Sequence, residues 1–193
     1  MLIALHKPFG VMCQFSKNTD STSPTLADYV CTSGVYPAGR LDKNSEGLVL
    51  LTDDGALQHK ISHPKAKTDK EYWVQLEGKP SPQFVQKLCA GTVLSDGQIT
   101  AKAATELSGK SHQDQISLLG PHPGQLPEHR ERNSSWYSLT LNSGRNRIVR
   151  RLCAALGHPV LRLVRVRIGD IELEELLAGE CREEEWPISA DKD

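Results

Sequence analysis

Residues 36–55 read YPAGRLDKNSEGLVLLTDDG and hold the strongest structural signal in the chain. The apolar run at 48–51 is typical of a short buried strand, and Asp-Asp-Gly at 53–55 can begin the helix that follows. Asp42 precedes the strand in a run of turn-forming residues. An aspartate in this position is a candidate metal ligand, an ordinary turn residue or a nucleophile.

The spacing of oxygen side chains around Asp42 is close to that of a calcium-binding loop. Asp42, Asn44 and Glu46, followed by Gly47 and Asp53, occupy the required positions. The preceding GVYPAG contains two glycines and a proline where an entering helix is needed. The last ligand is also Asp rather than the longer, bidentate Glu. We therefore set the calcium interpretation aside and expect no metal site.

Arginines cluster in the second half of the chain. Nine lie between 130 and 167, with no lysine and one acid, whereas 168–193 holds ten acids against two bases. Because a local basic patch governs phosphate contacts more than the net charge of −1 does, this pattern favours RNA or another polyanion. A solvated charged face beside an acidic tail is the alternative.

The predicted helix at 147–156 places this charge close to the core. Its apolar side must face the interior, so Arg147, Arg150 and Arg151 share the other half of the helical wheel. An arginine at the edge of the apolar face can reach a buried carboxylate and hold it ionised. An exposed basic flank explains the same pattern equally well.

The composition is that of a soluble intracellular protein. The 193 residues contain no apolar run near the length of about 20 that spans a bilayer, and MLIALHKPFG does not resemble a signal peptide. Five cysteines, at 13, 31, 89, 153 and 181, are scattered and form no CxxC pair. Free thiols of this kind are typical of a reducing compartment, so we expect a cytoplasmic protein.

The remaining pattern predicts an α+β fold with a mixed, largely antiparallel sheet, flanking helices and a central cleft. Further strands are predicted at 2–6, 71–77, 136–141 and 161–168. Helices are predicted at 24–29, after Asp53, from Ser81-Pro82 to Gly91, at 147–156 and at 173–178. Residues 108–135 show no period and are interpreted as a long polar loop. We expect one two-lobed domain over 1–185 and a tail at 186–193.

Four of these segments, taken together, resemble a known family. They are HKPFGV (6–11), GRLDKNSEGLVLLTDDG (39–55), KEYWVQLEG (70–78) and SGRNRIVRRLCAALGHPVLRLVRVRIGDIEL (143–173). In this order they are similar to RNA pseudouridine synthases of the RsuA family, closest to members that lack an S4 RNA-binding domain and act on large-subunit ribosomal RNA. The resemblance implies the isomerisation of uridine to pseudouridine in ribosomal RNA, a reaction without net redox change that needs no cofactor. From the residues themselves we expect a monomer with no metal and no membrane partner. A non-catalytic RNA-binding assembly factor, or a pseudouridine synthase that acts on another RNA, is the alternative.

The resemblance also implies catalytic roles. Asp42 matches the aspartate that attacks the base or the sugar, or stabilises a glycal-type path, and the sequence does not choose among these. Tyr72 matches the tyrosine that packs on uracil and handles the C5 proton. Arg150 matches the basic partner of the aspartate, with Arg147 and Arg151 as second choices. Ile148 departs from the family, which usually has glutamine there.

Further positions are implied in RNA binding. Arg40 matches the arginine that enters the RNA helix as the target base leaves. Leu163 is expected to form an apolar wall of the uracil pocket, although an ordinary core position is equally consistent. Phosphate contacts are expected from the arginines between 130 and 167, among them Arg145, Arg147 and Arg151.

Overall fold

One mixed sheet organises the computed structural model, which describes residues 1–17 and 22–187. The strands in these residues are β1 Leu2–Lys7, β2 Tyr36–Pro37, β3 Glu46–Thr52, β4 Lys70–Glu77, β5 Thr92–Leu94, β6 Gly97–Ile99, β7 Ala103–Glu106, β8 Ser134–Leu141, β9 Val160–Ile168, β10 Ile171–Glu172 and β11 Cys181–Glu183. Nine of them form the sheet, in the order β11-β1-β3-β9-β4-β8-β7, with β2 beside β3 and β10 beside β9. β5 and β6 form a separate hairpin.

Five α-helices accompany the sheet in the described part of the chain. They are α1 Gly55–Ser62, α2 Gln83–Ala90, α3 Lys110–Leu118, α4 Glu128–Arg132 and α5 Ile148–Ala155, with short 3-10 helices at Leu26–Asp28 and Pro64–Ala66. None of the described helices is long and apolar enough to cross a membrane. The α+β class with a mostly antiparallel sheet is confirmed.

The sheet consists of two halves, β11-β1-β3 and β9-β4-β8-β7, which meet at a short parallel junction between β3 and β9. Only Glu46 with Val164 and Gly47 with Arg165 are paired there, whereas the other strand neighbours run antiparallel. Gly47 has φ of +103°, and a Cβ at this position would lie 2.2 Å from the Arg165 carbonyl oxygen. The junction therefore depends on a backbone approach that only glycine permits.

Each face of the sheet buries its own apolar cluster, because side chains alternate along a strand. Leu5 of β1 belongs to the first cluster, which also receives Leu88 from α2 and Leu152 from α5. Ala4 belongs to the second, which receives Ile61 from α1. The helices therefore cover both faces, and α5 lies on the first.

Most strongly periodic elements are where the sequence predicts them. The strands predicted at 2–6, 71–77, 136–141 and 161–168 correspond to β1, β4, β8 and β9. The Asp54 carboxylate caps α1 by accepting hydrogen bonds from the backbone N–H groups of Ala56 and Leu57. Gly91 ends α2 as expected.

Several other predictions are wrong. Residues 108–135 are not one loop, because α3 and α4 form within them. No helix forms at 173–178, where the chain makes turns. The helix at 24–29 is only the 3-10 turn Leu26–Asp28, capped by Thr25. α2 begins at Gln83, with Pro82 as its N-cap, rather than at Ser81-Pro82.

The predicted tail at 186–193 lies mostly outside the described residues, which end at 187. Trp186 itself is partly buried and packs against the second cluster. The folded domain therefore includes this tryptophan rather than ending before it.

We expect Gly47→Ala to lower the free energy of unfolding by at least about 3 kcal/mol, since it adds a steric clash to an unfavourable φ. Gly34→Ala is the matched control, because Gly34 also has positive φ, +79°, but no atom of the described residues lies within 4 Å of its added Cβ. The control should lose about 1 kcal/mol. Urea denaturation measures both, and equal losses would contradict the role of the β3–β9 contact.

Candidate active site

A cavity of about 570 Å³ opens at the β3–β9 junction on the first face of the sheet. Residues 39–45 form one side, the turn at 143–147 forms another, and β4 and β9 supply the floor. Six of the eight site residues predicted from the sequence line it: Arg40, Asp42, Tyr72, Arg145, Arg147 and Leu163. Arg150 and Arg151 are not part of its lining.

Backbone hydrogen bonds hold Asp42 in a defined turn before β3. Its carbonyl accepts a hydrogen bond from the Ser45 N–H at 3.1 Å, and the carbonyl of Lys43 accepts one from the Gly10 N–H at 2.8 Å. The buried Arg165 guanidinium donates to the Gly39 carbonyl at 3.1 Å. The Asp42 side chain is about one-third exposed, at 33%. The turn therefore presents a carboxylate from a fixed backbone.

Arg147 is the partner of this carboxylate. Its guanidinium donates to Asp42 Oδ2 at 3.1 Å. Arg147 occupies the N-cap of α5 in the left-handed region, with φ of 49° and ψ of 32°. A non-glycine residue in this conformation is uncommon and costs about 1–2 kcal/mol, which is typical of functional sites. The turn thus uses an unfavourable conformation where Arg147 meets Asp42.

The predicted ion pair between Asp42 and Arg150 is wrong. Arg150 donates instead to the carbonyl oxygens of Val160, at 3.0 Å, and Asn44, at 2.7 Å. Burial lowers the pKa of the Arg150 guanidinium, and the nearby charge of Arg147 lowers it further. Arg150 therefore ties the loop of the aspartate to β9 rather than contacting the carboxylate.

Tyr72 and Leu163 form the apolar part of the floor. Tyr72 is 7% exposed and Leu163 is 6% exposed, and both belong to the first cluster as well as to the cavity lining. Tyr72 of β4 pairs with Arg165 of β9. The core and pocket interpretations of Leu163 are thus compatible, since its side chain serves both.

Two buried cations of the cavity lining, Lys70 and Arg165, were not named as site residues from the sequence. Each lies two residues from a predicted site residue on the same strand, so the alternation of side chains could have indicated them. Arg165 is 2% exposed and donates to the Leu48 carbonyl at 2.8 Å. Lys70 is 7% exposed and donates to the Thr68 carbonyl at 3.0 Å. Burial, and then the charge of Arg165, lower the pKa of Lys70 to about 8.

The cavity is strongly cationic. Among the described residues that line it, Asp42 is the single acid, against the six cations Arg40, Lys43, Lys70, Arg145, Arg147 and Arg165. Such a lining suits a polyanion that presents one reactive group to one carboxylate. No group of three or more metal-binding side chains occurs in the described residues.

Most arginines of the predicted basic patch form ion pairs within the protein. Seven of the nine arginines pair with carboxylates: Arg130 with Glu77, Arg132 with Glu128, Arg145 and Arg151 with Asp96, Arg147 with Asp42, Arg162 with Glu46 and Arg167 with Glu71. Arg162 is buried in β9 and donates to Glu46 and to two backbone carbonyls, so it is unavailable to RNA phosphates. The expectation that the whole set contacts phosphate is therefore wrong for Arg162, whereas Arg165, although buried, lines the cavity.

The rim of the cavity keeps accessible cations. Arg151 donates to the two carboxylate oxygens of Asp96 at 2.9 and 2.5 Å, and Arg145 donates to the Asp96 carbonyl at 3.1 Å. Asp96 lies between β5 and β6, so these bonds hold the hairpin against α5. Arg40 is exposed and forms no hydrogen bond or ion pair with the described part of the chain.

Comparison with known proteins places this geometry in context. A family model described as RNA pseudouridylate synthase matches residues 1–155. The ribosomal large subunit pseudouridine synthase E of Xanthomonas axonopodis pv. citri is 43% identical, covering 91% of this chain and 90% of that protein. Its counterpart in Xanthomonas campestris pv. campestris is 41% identical and covers 94% of each chain. A crystal structure of a pseudouridylate synthase gives a TM-score of 0.70 at 30% identity, covering 94% of this chain and 68% of that one.

The lowered pKa of Lys70 makes the free energy of unfolding depend on pH. Its pKa is about 8 when folded and about 10.5 when unfolded, so the unfolded chain binds more protons between these values. Burial of the charged Lys70 ammonium therefore costs stability most below pH 8. This cost decreases as the pH rises and is absent above pH 10.5, where Lys70 is neutral in both states. Urea denaturation from pH 8 to 9.5 should show the wild type gaining up to about 1.4 kcal/mol per pH unit relative to Lys70→Met.

The exposed Lys60→Met is the matched control for charge removal. Its difference in free energy of unfolding from the wild type should stay constant over the same pH range. A constant difference for Lys70→Met as well would show that Lys70 is not buried in the folded protein.

Proposed function

This chain belongs to the RNA pseudouridylate synthase family, and on that premise we propose that it converts a uridine of large-subunit ribosomal RNA to pseudouridine, with Asp42 as the reacting carboxylate. The assignment of Asp42 rests on its pair with Arg147, because this pair joins the single acid among the described residues of a cationic cavity to an arginine in a strained conformation. The target class is supported by relatives that carry that name at 41–43% identity over most of both chains.

The reaction isomerises uridine without a net change in atoms. The N1–C1′ bond breaks, the C5–C1′ bond forms, the C5 proton leaves and N1 gains a proton. Attack on the sugar, attack on the base and a glycal path all need a carboxylate held at the nucleoside. Arg147 orients the Asp42 oxygen through a hydrogen bond, and the turn restrains the backbone. Tyr72 lies on the cavity floor, where its ring can pack on uracil.

Access to the base requires that the target nucleotide leave its stack, which costs a few kcal/mol. Arg40 suits the role of a wedge, since its guanidinium is exposed beside Asp42 and is not bonded to any other described residue. Arg145 and Arg147 line the cavity, and Arg151 shares the Asp96 carboxylate with Arg145, so these three arginines are the proposed phosphate contacts. Leu163 provides the apolar wall.

The wider assignment follows from the same chemistry. Isomerisation within one nucleotide has no redox step, so the proposed reaction uses the side chains of the cavity and no small-molecule cofactor. We propose a cytoplasmic enzyme that works as a monomer, with one catalytic domain that extends to Trp186. Ribosomal RNA of the large subunit is its proposed partner.

The decisive test uses large-subunit rRNA labelled with tritium at uridine C5, since formation of the C5–C1′ bond must release the label to water. Wild type should release tritium without added metal or cofactor, whereas Asp42→Asn should release none and still bind the RNA. Asp170→Asn is the matched control, because Asp170 is an exposed acid outside the cavity, and it should behave like wild type.

The same assay with small-subunit rRNA and tRNA separates a wrong substrate from a wrong function. Release from one of these RNAs alone would change the target and keep the reaction. RNA binding without release from any of the three would identify an RNA-binding protein that lacks catalysis.

Arg147 and Arg150 should differ in what their removal affects. Arg147→Ala should lower kcat by about a hundredfold, because Asp42 loses its orienting donor, while the free energy of unfolding changes by less than about 1 kcal/mol. Arg150→Ala should lose about 2 kcal/mol or more of stability, since it leaves two carbonyl groups without a donor. Single-turnover tritium release and urea denaturation measure these effects. The opposite pattern would restore Arg150 as the partner of the aspartate.

A further inference from the structure

A second groove, of about 670 Å³, adjoins the active-site cavity. The two share part of their lining, namely Cys13, Gln14, Gly39, Arg40 and Ser62. The groove continues from the Arg40 side along β2 towards α1, where Tyr36, Pro37 and Gln58 line it. A strand of RNA that delivers one nucleotide to Asp42 therefore has an open path beyond Arg40.

The groove has the chemistry of a nucleotide-binding surface. No carboxylate of the described residues lines it, although the chain has 24 acidic residues. Its polar groups are amides, hydroxyls and the Arg40 guanidinium, and its aromatic groups are Tyr36 and Phe15. Aromatic rings beside a cation are the usual means of binding single-stranded RNA without strict sequence preference.

Another large cavity, of about 780 Å³, provides a contrast. Trp73 lines it, on the opposite side of β4 from Tyr72, so it lies on the other face of the sheet. Five glutamates surround it: Glu71, Glu172, Glu174, Glu175 and Glu180. Phosphate groups would be repelled there, which leaves the groove beside Arg40 as the extension that suits RNA.

Tyr36 presents an accessible ring from a restrained backbone. It is 62% exposed, yet it belongs to β2 and pairs with Thr52 of β3, and the next residue pairs with Leu51. The carbonyl of Pro37 also accepts a hydrogen bond from the Gln58 side chain at 3.2 Å. The backbone that carries the ring is therefore already ordered before a base stacks on it, which lowers the entropic cost of binding.

We propose that this groove binds the nucleotide adjacent to the target uridine, with its base stacked on Tyr36 and the intervening phosphate next to Arg40. The inference rests on the proposed function, because it takes Asp42 as the place of the target. A single phosphodiester joins the two nucleotides, and Arg40 lines both spaces that they occupy. Tyr36 is thus assigned to substrate binding and not to the chemical step.

The test compares Tyr36→Ala, Tyr36→Phe and Leu177→Ala on the tritiated large-subunit rRNA. One base stack corresponds to about a five- to hundredfold effect on affinity, so Tyr36→Ala should raise KM and the Kd for the same RNA by that factor. Its kcat at saturating RNA should stay within about twofold of wild type. Tyr36→Phe keeps the ring and should match wild type. Leu177 is the control for loss of an exposed apolar side chain, since it is 60% exposed on the glutamate-lined cavity.

Three results would overturn the proposal. A wild-type Kd and KM for Tyr36→Ala would show that nothing stacks on the ring. A Tyr36→Phe defect as large as that of Tyr36→Ala would assign the contact to the hydroxyl group, and an equal defect for Leu177→Ala would make the effect non-specific. Failure of the proposed function is seen separately, as absence of tritium release by wild type, and the Kd values still test the stacking contact in that case.

Discussion

The site depends on the contact between Gly47 and Arg165, where the two halves of the sheet meet. The backbones approach so closely that a Cβ on Gly47 would overlap the Arg165 carbonyl. Arg165 then extends under the active-site loop and bonds the carbonyls of Leu48 and Gly39. Because Asp42 lies between these two residues in sequence, the junction that joins the sheet also restrains the loop that carries the carboxylate.

Burial explains which elements could be predicted from the sequence. β1, β3, β4, β8 and β9 show apolar alternation or runs, and α1, α2 and α5 each bury one face, so their periods are visible. The polar helix α3 has no fully buried residue, and the β5–β6 hairpin has strands of three residues. Such elements show no hydrophobic periodicity in the sequence, and their position is determined by contacts between residues that are distant in sequence.

The clustered arginines of the sequence indicated which part of the chain forms the site, but not which arginines hold the fold together and which contact the reacting carboxylate. Arg162 forms a buried ion pair with Glu46, with two bonds of 2.8 Å, and also donates to two backbone carbonyls of residues 119 and 120. An arginine of this kind crosslinks the sheet, whereas Arg147 serves the reacting carboxylate. The helical wheel could not separate Arg147 from Arg150, because the distinction arises from the left-handed conformation at 147.

Ion pairs between the arginines and carboxylates of the protein itself weaken the attraction of the site for RNA phosphates. Arg145 and Arg151 already share the carboxylate of Asp96, so a phosphate at the rim replaces one anion with another and gains less than a free guanidinium would. Arg40 has no such partner among the described residues and lies where the cavity meets the adjoining groove. Charge alone therefore favours entry of the strand at Arg40. Shape and base stacking on either side of that residue must supply the discrimination that a nearly neutral chain cannot obtain from electrostatics.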